Sequence, residues 1–277
     1  MKSKTTAAIF ITAVLCASVL FAVGAFADST DYIDINSSGT STTNANGTNS
    51  IAIGQGAVTS SADRNNYSIA IGYNAFTSSG DSTSNGNLAV GENARAVGGQ
   101  TVAVGSKAAA LGDQSSAFGN NTVALGDGSI AFGGDDTLKK QYKDSSGNLI
   151  YYGRKGSGIG INGDTVDYYR PTLSYGTGAN AIGVHAQALA QGATAIGAGA
   201  TAGAATGVLY KTDVKGIITS YSITSTSGEN STALGSLSTA IGDRSTAIGA
   251  FSQATSTDAV AIGADSKSGA RSIALGV

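Results

Sequence analysis

The chain has 277 residues, among them 40 glycines, one proline, one cysteine, one methionine and no tryptophan. Charged residues make up 12% and hydrophobic residues 41%, which excludes a chain held disordered by low hydrophobicity and high charge. Beyond residue 27 there are 14 basic against 18 acidic side chains and no cysteine. Neither nucleic acid nor membrane insertion is therefore expected, and no disulfide supports the fold.

The first element is an export signal over residues 1–27. Lys2 and Lys4 precede an uncharged run from Ala7 to Ala27 that closes on the small-x-small site Ala25-Phe26-Ala27. Cleavage is expected between Ala27 and Asp28. Leu15 stands before Cys16, where a lipid-anchored protein would carry a small residue, so no lipid anchor is expected. Export without disulfides suits a bacterial surface protein. Residues 28–48 read as a lead-in, and 49–277 as one repetitive unit.

The repeat is a glycine ladder. Gly91, Gly98, Gly105, Gly112, Gly119, Gly126 and Gly133 are each seven residues apart. Thr101-Val-Ala-Val-Gly105 and Ser115-Ser-Ala-Phe-Gly119 show that the full period is 14, built of two similar halves. Gly54 and Gly72 carry the same Ser-Ile-Ala-Ile-Gly signature at wider spacing, which implies small loops between coils. The ladder resumes at Gly176, Gly183 and Gly197, with Ala190 at a glycine position, and again at Gly235, Gly242, Gly249 and Gly263.

Each half reads as a short strand followed by a turn that begins at the glycine. A heptad helix is excluded, because a glycine every seven residues costs about 1 kcal/mol each in a helix. Collagen is excluded because glycine does not recur every third residue. Fourteen-residue turns of this kind stack as an all-β parallel solenoid, or roll, with strands on two faces.

Alanine stands two before most glycines, and a larger apolar residue follows it; strand alternation sends these two sets to opposite sides. One set fills a narrow roll, and the other needs a partner surface, since soluble monomers rarely expose long apolar rows. The candidates for a shared axis between copies are Ile53, Ile71, Val104, Phe118, Phe132, Ile196, Ile241 and Ile248.

Two segments leave the ladder, at 134–178 and 203–230, and both carry hairpin patterns. In the first, Leu138–Lys143 and Leu149–Tyr152 flank Asp144-Ser-Ser-Gly147-Asn148; in the second, Val208–Lys211 and Ile217–Tyr221 flank Lys215-Gly216. These insertions hold eight of the eleven tyrosines and eight of the 14 basic residues. Tyrosine offers large, rigid, amphipathic contact area at recognition surfaces. The candidate ligand contacts are Tyr142, Lys143, Tyr151, Tyr152, Tyr168, Tyr169, Tyr210, Lys211 and Tyr221. Packing of the same side chains against the roll is the alternative.

The remaining motifs are weak. Gly158-Ile-Gly160-Ile-Asn-Gly163 matches a dinucleotide fingerprint, but Asp164-Thr-Val-Asp-Tyr-Tyr-Arg-Pro171 does not open a helix. Asp135 and Asp136 follow Gly133-Gly134, yet the period differs from that of calcium-binding solenoids. His185 is the only histidine. It keeps a left-handed-solenoid acyltransferase as an alternative, although those enzymes repeat every six residues. No catalytic residue, cofactor or metal is assigned, and the chain is read as non-enzymatic.

The Ser-x-Ala-apolar-Gly repeat resembles the head of the YadA-like trimeric autotransporter adhesins over residues 49–277, apart from the insertions. Asn49-Ser-Ile-Ala-Ile-Gly54 is very close to that family's Asn-Ser-Val-Ala-Ile-Gly motif, and Asn230-Ser-Thr-Ala-Leu-Gly235 is a looser copy. The resemblance implies a left-handed parallel β-roll, a homotrimer around an apolar axis, and adhesion to host matrix, host cells or sister bacteria. Such adhesins continue into a neck, a coiled-coil stalk and a membrane barrel, whereas residues 272–277 still lie inside a repeat. The expected location is the bacterial surface if an anchor lies beyond this chain, and the secreted fraction otherwise. A self-associating surface or biofilm spacer without a host receptor is the second functional class.

Overall fold

The computed structural model describes residues 33–35, 43–60, 66–80, 86–134, 142–143, 149–150, 171–206, 209–212, 218–222 and 225–276. The expected signal with its Ala27–Asp28 cleavage site, Asp135 and Asp136, the glycines at 158–163, and Tyr151, Tyr152, Tyr168 and Tyr169 lie outside these residues.

The chain winds as a parallel β-solenoid of about 12 turns spaced 14 residues apart, with no helix among the described residues. One half of each repeat enters a first sheet of 13 strands and the other half a second sheet of 12 strands. Within the first sheet Val102, Ser116 and Ile130 are partners at steps of 14. The ladder then crosses both insertions without losing register, pairing Ile130 with Asn180 and Thr194 with Thr232. Pairing that survives a 50-residue excursion shows that the coil, rather than chain proximity, specifies the neighbour.

The core is almost entirely alanine. In the first sheet the middle residue of each strand points inward: Ala52, Ala70, Ala89, Ala103, Ala117 and Ala131 are fully buried, as are their counterparts from Ala181 to Ala261. Ala96, Ala110, Ala124, Ala188, Ala202, Ala240 and Ala254 of the second sheet are buried opposite them. Two facing rows of methyl groups allow the two sheets to lie closer than sheets faced with leucine or valine. Alanine is thus the side chain that fills the roll, and the larger apolar residue points out.

The glycines serve two purposes. Gly72 takes φ +128, and a Cβ there would sit 2.7 Å from the carbonyl carbon of Gly91 on the next coil. Gly112 has no left-handed backbone, yet its Cβ would lie 2.5 Å from the corresponding carbon of Gly126. The first needs glycine for backbone angle and close approach, the second for close approach alone. Two residues past the glycine the chain turns through the left-handed region, at Asn74, Asn93 and Asn121 with φ of 52, 56 and 53. Asparagine accepts that region better than other side chains.

Polar side chains stitch one coil to the next. Gly99 N–H donates to Asp113 Oδ1 at 2.8 Å, Asp113 N–H to Asp127 Oδ1 at 2.9 Å, and Gly228 N–H to Asp243 Oδ1 at 2.8 Å. At the buried corner Ser68 N–H donates to Ser50 Oγ and Asn87 N–H to Ser68 Oγ, each at 3.2 Å. Thr101 N–H donates to Asn87 Oδ1 at 2.9 Å. In these coils the short polar residue that opens the repeat, Ser50, Ser68 or Asn87, is therefore an internal cap, satisfying backbone groups that water does not reach.

Both insertions contain antiparallel pairs. Tyr142–Lys143 pairs with Leu149–Ile150, and Leu209–Thr212 with Ile218–Ser222, where Tyr210 faces Tyr221 and a bulge falls at Lys211/Thr212. A further pair, Ala204–Thr206 with Ser225–Ser227, forms the root of the second insertion. Leu173–Ser174 is already a strand of the second sheet, paired with Val123–Ala124. The roll is therefore regained before Gly178, and Tyr175 belongs to a coil rather than to the first insertion.

Candidate functional site

Strand alternation makes the first and third residues of every first-sheet strand point outward together, leaving two parallel rows on the outer face. The third-position row runs Ile53, Ile71, Val90, Val104, Phe118 and Phe132, then Ile182, Ile196, Leu234, Ile248, Ile262 and Leu275, each registered on the next. No polar residue interrupts it. Neighbours in such a ladder are about 4.8 Å apart, and the rings of Phe118 and Phe132 lie 5.9 Å apart between centroids. Phe132 is 57% exposed and Leu234 42%. A row this long exceeds the apolar surface that a soluble monomer ordinarily shows to water.

Seven of the eight axis candidates lie on this row. Ile241 does not: it follows Thr239–Ala240, a strand of the second sheet, and so projects from the opposite face. The half-repeats Thr-Ala-Ile-Gly242 and Thr-Ala-Ile-Gly249 are identical in sequence and differ only in the sheet they join. Sequence reasoning also passed over the first-position row, where Ile51, Ile69, Leu88 and Val102 extend the apolar face. Period-two alternation was the signal for it, since a residue two before an outward residue is itself outward.

The second sheet's outer face is different. Its first-position row runs Val58, Phe76, Arg95, Ala109, Val123, Leu173, Gln187, Thr201, Thr239, Gln253 and Lys267. Arg95 lies over the Phe76 ring at 4.7 Å from its centroid. In the middle coils Val123, Leu173 and Leu189 are buried, and Ala205 at the root of the second insertion packs against them. This face is interrupted by charge and amide, and it supports an insertion.

The two insertions leave opposite edges of the roll. The first lies between Gly134, after a first-sheet strand, and Leu173 of the second sheet. The second lies between Gly203, after a second-sheet strand, and Thr232 of the first. Of the nine candidate ligand contacts, Tyr142 and Lys143 stand on the first hairpin, and Tyr210, Lys211 and Tyr221 on the second.

The remaining polar features are small. Arg244 donates to Asp258 through Nε at 2.7 Å and Nη2 at 3.0 Å across one coil step. This hydrogen bonding holds the Asp258 carboxyl below its ordinary range, and because both groups are exposed the pair adds little stability. His185 sits in the turn after Gly183, 5% exposed with φ 61, and its N–H donates to Gly134 O at 3.4 Å. Among the described residues no group of three His, Cys, Asp or Glu could hold a metal ion.

A family model described as the YadA head domain repeat matches residues 41–57, 45–75, 64–87, 88–108, 110–135, 174–200, 226–252, 240–266 and 254–277. No curated protein is significantly similar to the chain. The matched segments cover more than half of the residues and follow the coils, lapsing over 136–173 and 201–225, where the two insertions lie. With its 14-residue coils, alanine core and outward apolar row, the chain belongs to the YadA head-domain family.

Proposed function

We propose that this chain is the head of a bacterial surface adhesin that associates with copies of itself, as a homotrimer, through the first sheet, and that its insertions contact the target. The uninterrupted apolar row from Ile53 to Leu275 carries the reading: twelve coils would not each place an outward apolar side chain at one position unless that row were buried. The second sheet cannot serve the same purpose, because Arg95, Gln187 and Lys267 break its outer row and Ala205 packs on it.

With the first sheet turned inward, the second insertion is rooted on the side away from the axis. Away from the first-sheet face the exposed positions of the coils are mostly short, Tyr67, Tyr73 and Phe251 excepted, whereas binding hot spots favour Tyr, Trp and Arg. Tyr142, Lys143, Tyr210, Lys211 and Tyr221, with Tyr151, Tyr152, Tyr168 and Tyr169, are therefore the proposed contacts with a macromolecule of the extracellular matrix, a host cell or a sister bacterium. Weak contacts repeated on each copy sum through avidity.

The experiment replaces residues 138–152 and 208–221 with short glycine-serine turns. The associated roll is expected to persist, because the ladder pairs across both insertions without them, while attachment to matrix-coated surfaces and cells falls at least about tenfold, consistent with the loss of a few hot-spot side chains. Undiminished attachment would assign adhesion to the coils. If the parent chain binds only other copies of itself, the protein is a spacer.

A further inference from the structure

The central column of the first sheet is uniform except at one end. In strand after strand the middle residue is alanine, from Ala52 to Ala274, twelve in succession and each registered on the next. The thirteenth member of the column is Asp34. It is the middle residue of Ile33–Ile35 and takes the register position of Ala52. Ile33 and Ile35 stand level with Ile51 and Ile53, so the apolar positions of the repeat are kept and the alanine alone is exchanged for an acidic residue. The exchange is confined to the first sheet. At the same end of the second sheet Asn44–Ala45 retains its alanine, which is 5% exposed, and Thr43 Oγ1 donates to Gly54 O at 2.7 Å.

Ile33–Ile35 is also the edge of the sheet. Among the described residues it is paired on one side only, whereas every inner strand is paired on both. An unpaired row of N–H and C=O groups is a template for a strand of another chain. In this fold the template is permissive, because the inner coils present the same alanine at the same register. Ala131 pairs with Ala181 across the first insertion as readily as Ala117 pairs with Ala131 in consecutive coils. A coil therefore asks little of its neighbour beyond backbone spacing and a small residue in the column, and a second copy supplies both.

We propose that Asp34 guards the N-terminal edge of the roll: an acidic residue at the alanine register position keeps a strand of a second copy from extending the first sheet end to end. A strand added against Ile33–Ile35 would convert the end of the column into its interior, where the members from Ala52 to Ala261 are shut off from water. A carboxylate at that position would lose its hydration and gain no cation, because the adjoining member of the column, Ala52, offers only a methyl group. Charge at the core-side position of an edge strand is a general means of keeping sheets apart. The proposal concerns the edge of the sheet and is independent of the reading in which its outer face joins copies.

The test is D34A in the exported chain, with F118D/F132D as background so that the outer face makes no contribution. Alanine fills this position in twelve other strands, so the far-ultraviolet circular dichroism should be unchanged. A roll of about 12 turns is about 60 Å long at a coil step of about 4.8 Å, and end-on pairing extends it to about 120 Å. Small-angle X-ray scattering and sedimentation should find D34A at the doubled length and mass, at concentrations at least about a hundredfold below any at which the Asp34 chain pairs. D34K, which exchanges one charge for another, should stay at single length. If D34A keeps the single length and mass at every concentration, the edge needs no guard and the proposal is overturned. Pairing of D34K to the same extent as D34A would overturn it too, since charge would then not be the cause, as would end-to-end pairing of the chain that retains Asp34.

Discussion

Gly72→Ala is expected to destabilise the coils around it by about 4 kcal/mol. Two independent causes add: a backbone conformation that L side chains rarely adopt, costing about 1–3 kcal/mol, and an overpacked contact, costing a similar amount. The added methyl would lie 2.5 Å from the carbonyl oxygen of Gly91 and 2.7 Å from its carbon. Neither neighbour can yield, because Gly91 N–H donates to Ile71 O at 2.8 Å and fixes the coil spacing. A solenoid coil contacts only its neighbours, so the loss is local and uncouples the N-terminal coils from the rest. Thermal melts followed by circular dichroism should show a lower midpoint or a second transition. Gly128→Asn is the contrast. Gly128 has φ 62 with nothing within 4 Å of a Cβ, and the matching turn position holds Asn230 at φ 54. That variant should melt within about 0.5 kcal/mol of the parent. Equal losses for the two would show that close coil approach does not govern stability.

Phe118→Asp together with Phe132→Asp is expected to dissociate the assembly without unfolding the roll. Both side chains point away from the alanine core, and Phe132 is 57% exposed in the single chain, so a carboxylate at either place stays hydrated in a monomer. In an assembled head the same carboxylates would be buried without a partner. An unpaired buried charge costs about 3 kcal/mol or more, on the order of a hundredfold in association per site. Their rings meet at 5.9 Å, so the two changes also place like charges on adjacent coils. Analytical ultracentrifugation should find monomer at concentrations where the parent is associated, with the β-sheet spectrum retained. An unchanged mass would remove these residues from the contact surface.

Most of the architecture was legible because a 14-residue coil repeats its physics with its letters. Glycine spacing gave the coil length, and the alanine two before each glycine marked a side chain small enough for the roll interior. The break at Gly134 and the return before Gly183 placed the first insertion, although Tyr175 was assigned to it in error. Tyr175 is in the coil because Leu173–Ser174 already pairs with Val123–Ala124, and that strand contains no Ala-apolar-Gly signature to announce it. Ile241 was grouped with the wrong face for the opposite reason: its half-repeat carries the signature, but the signature is common to both sheets.

The sequence by itself determined the coil period, the absence of a helical alternative, the alanine interior and the family, since each follows from which residue types recur and how far apart. Only the tertiary structure decided which sheet each half-repeat joins. It alone showed that the two insertions leave opposite edges and that Ala205 packs on the second sheet. It also set Asn180 beside Ile130 and Thr232 beside Thr194 across the insertions. The physical reason is that a half-repeat records its own strand and turn but not the parity that assigns it to a face. That parity is fixed by hydrogen bonding to the coils before and after.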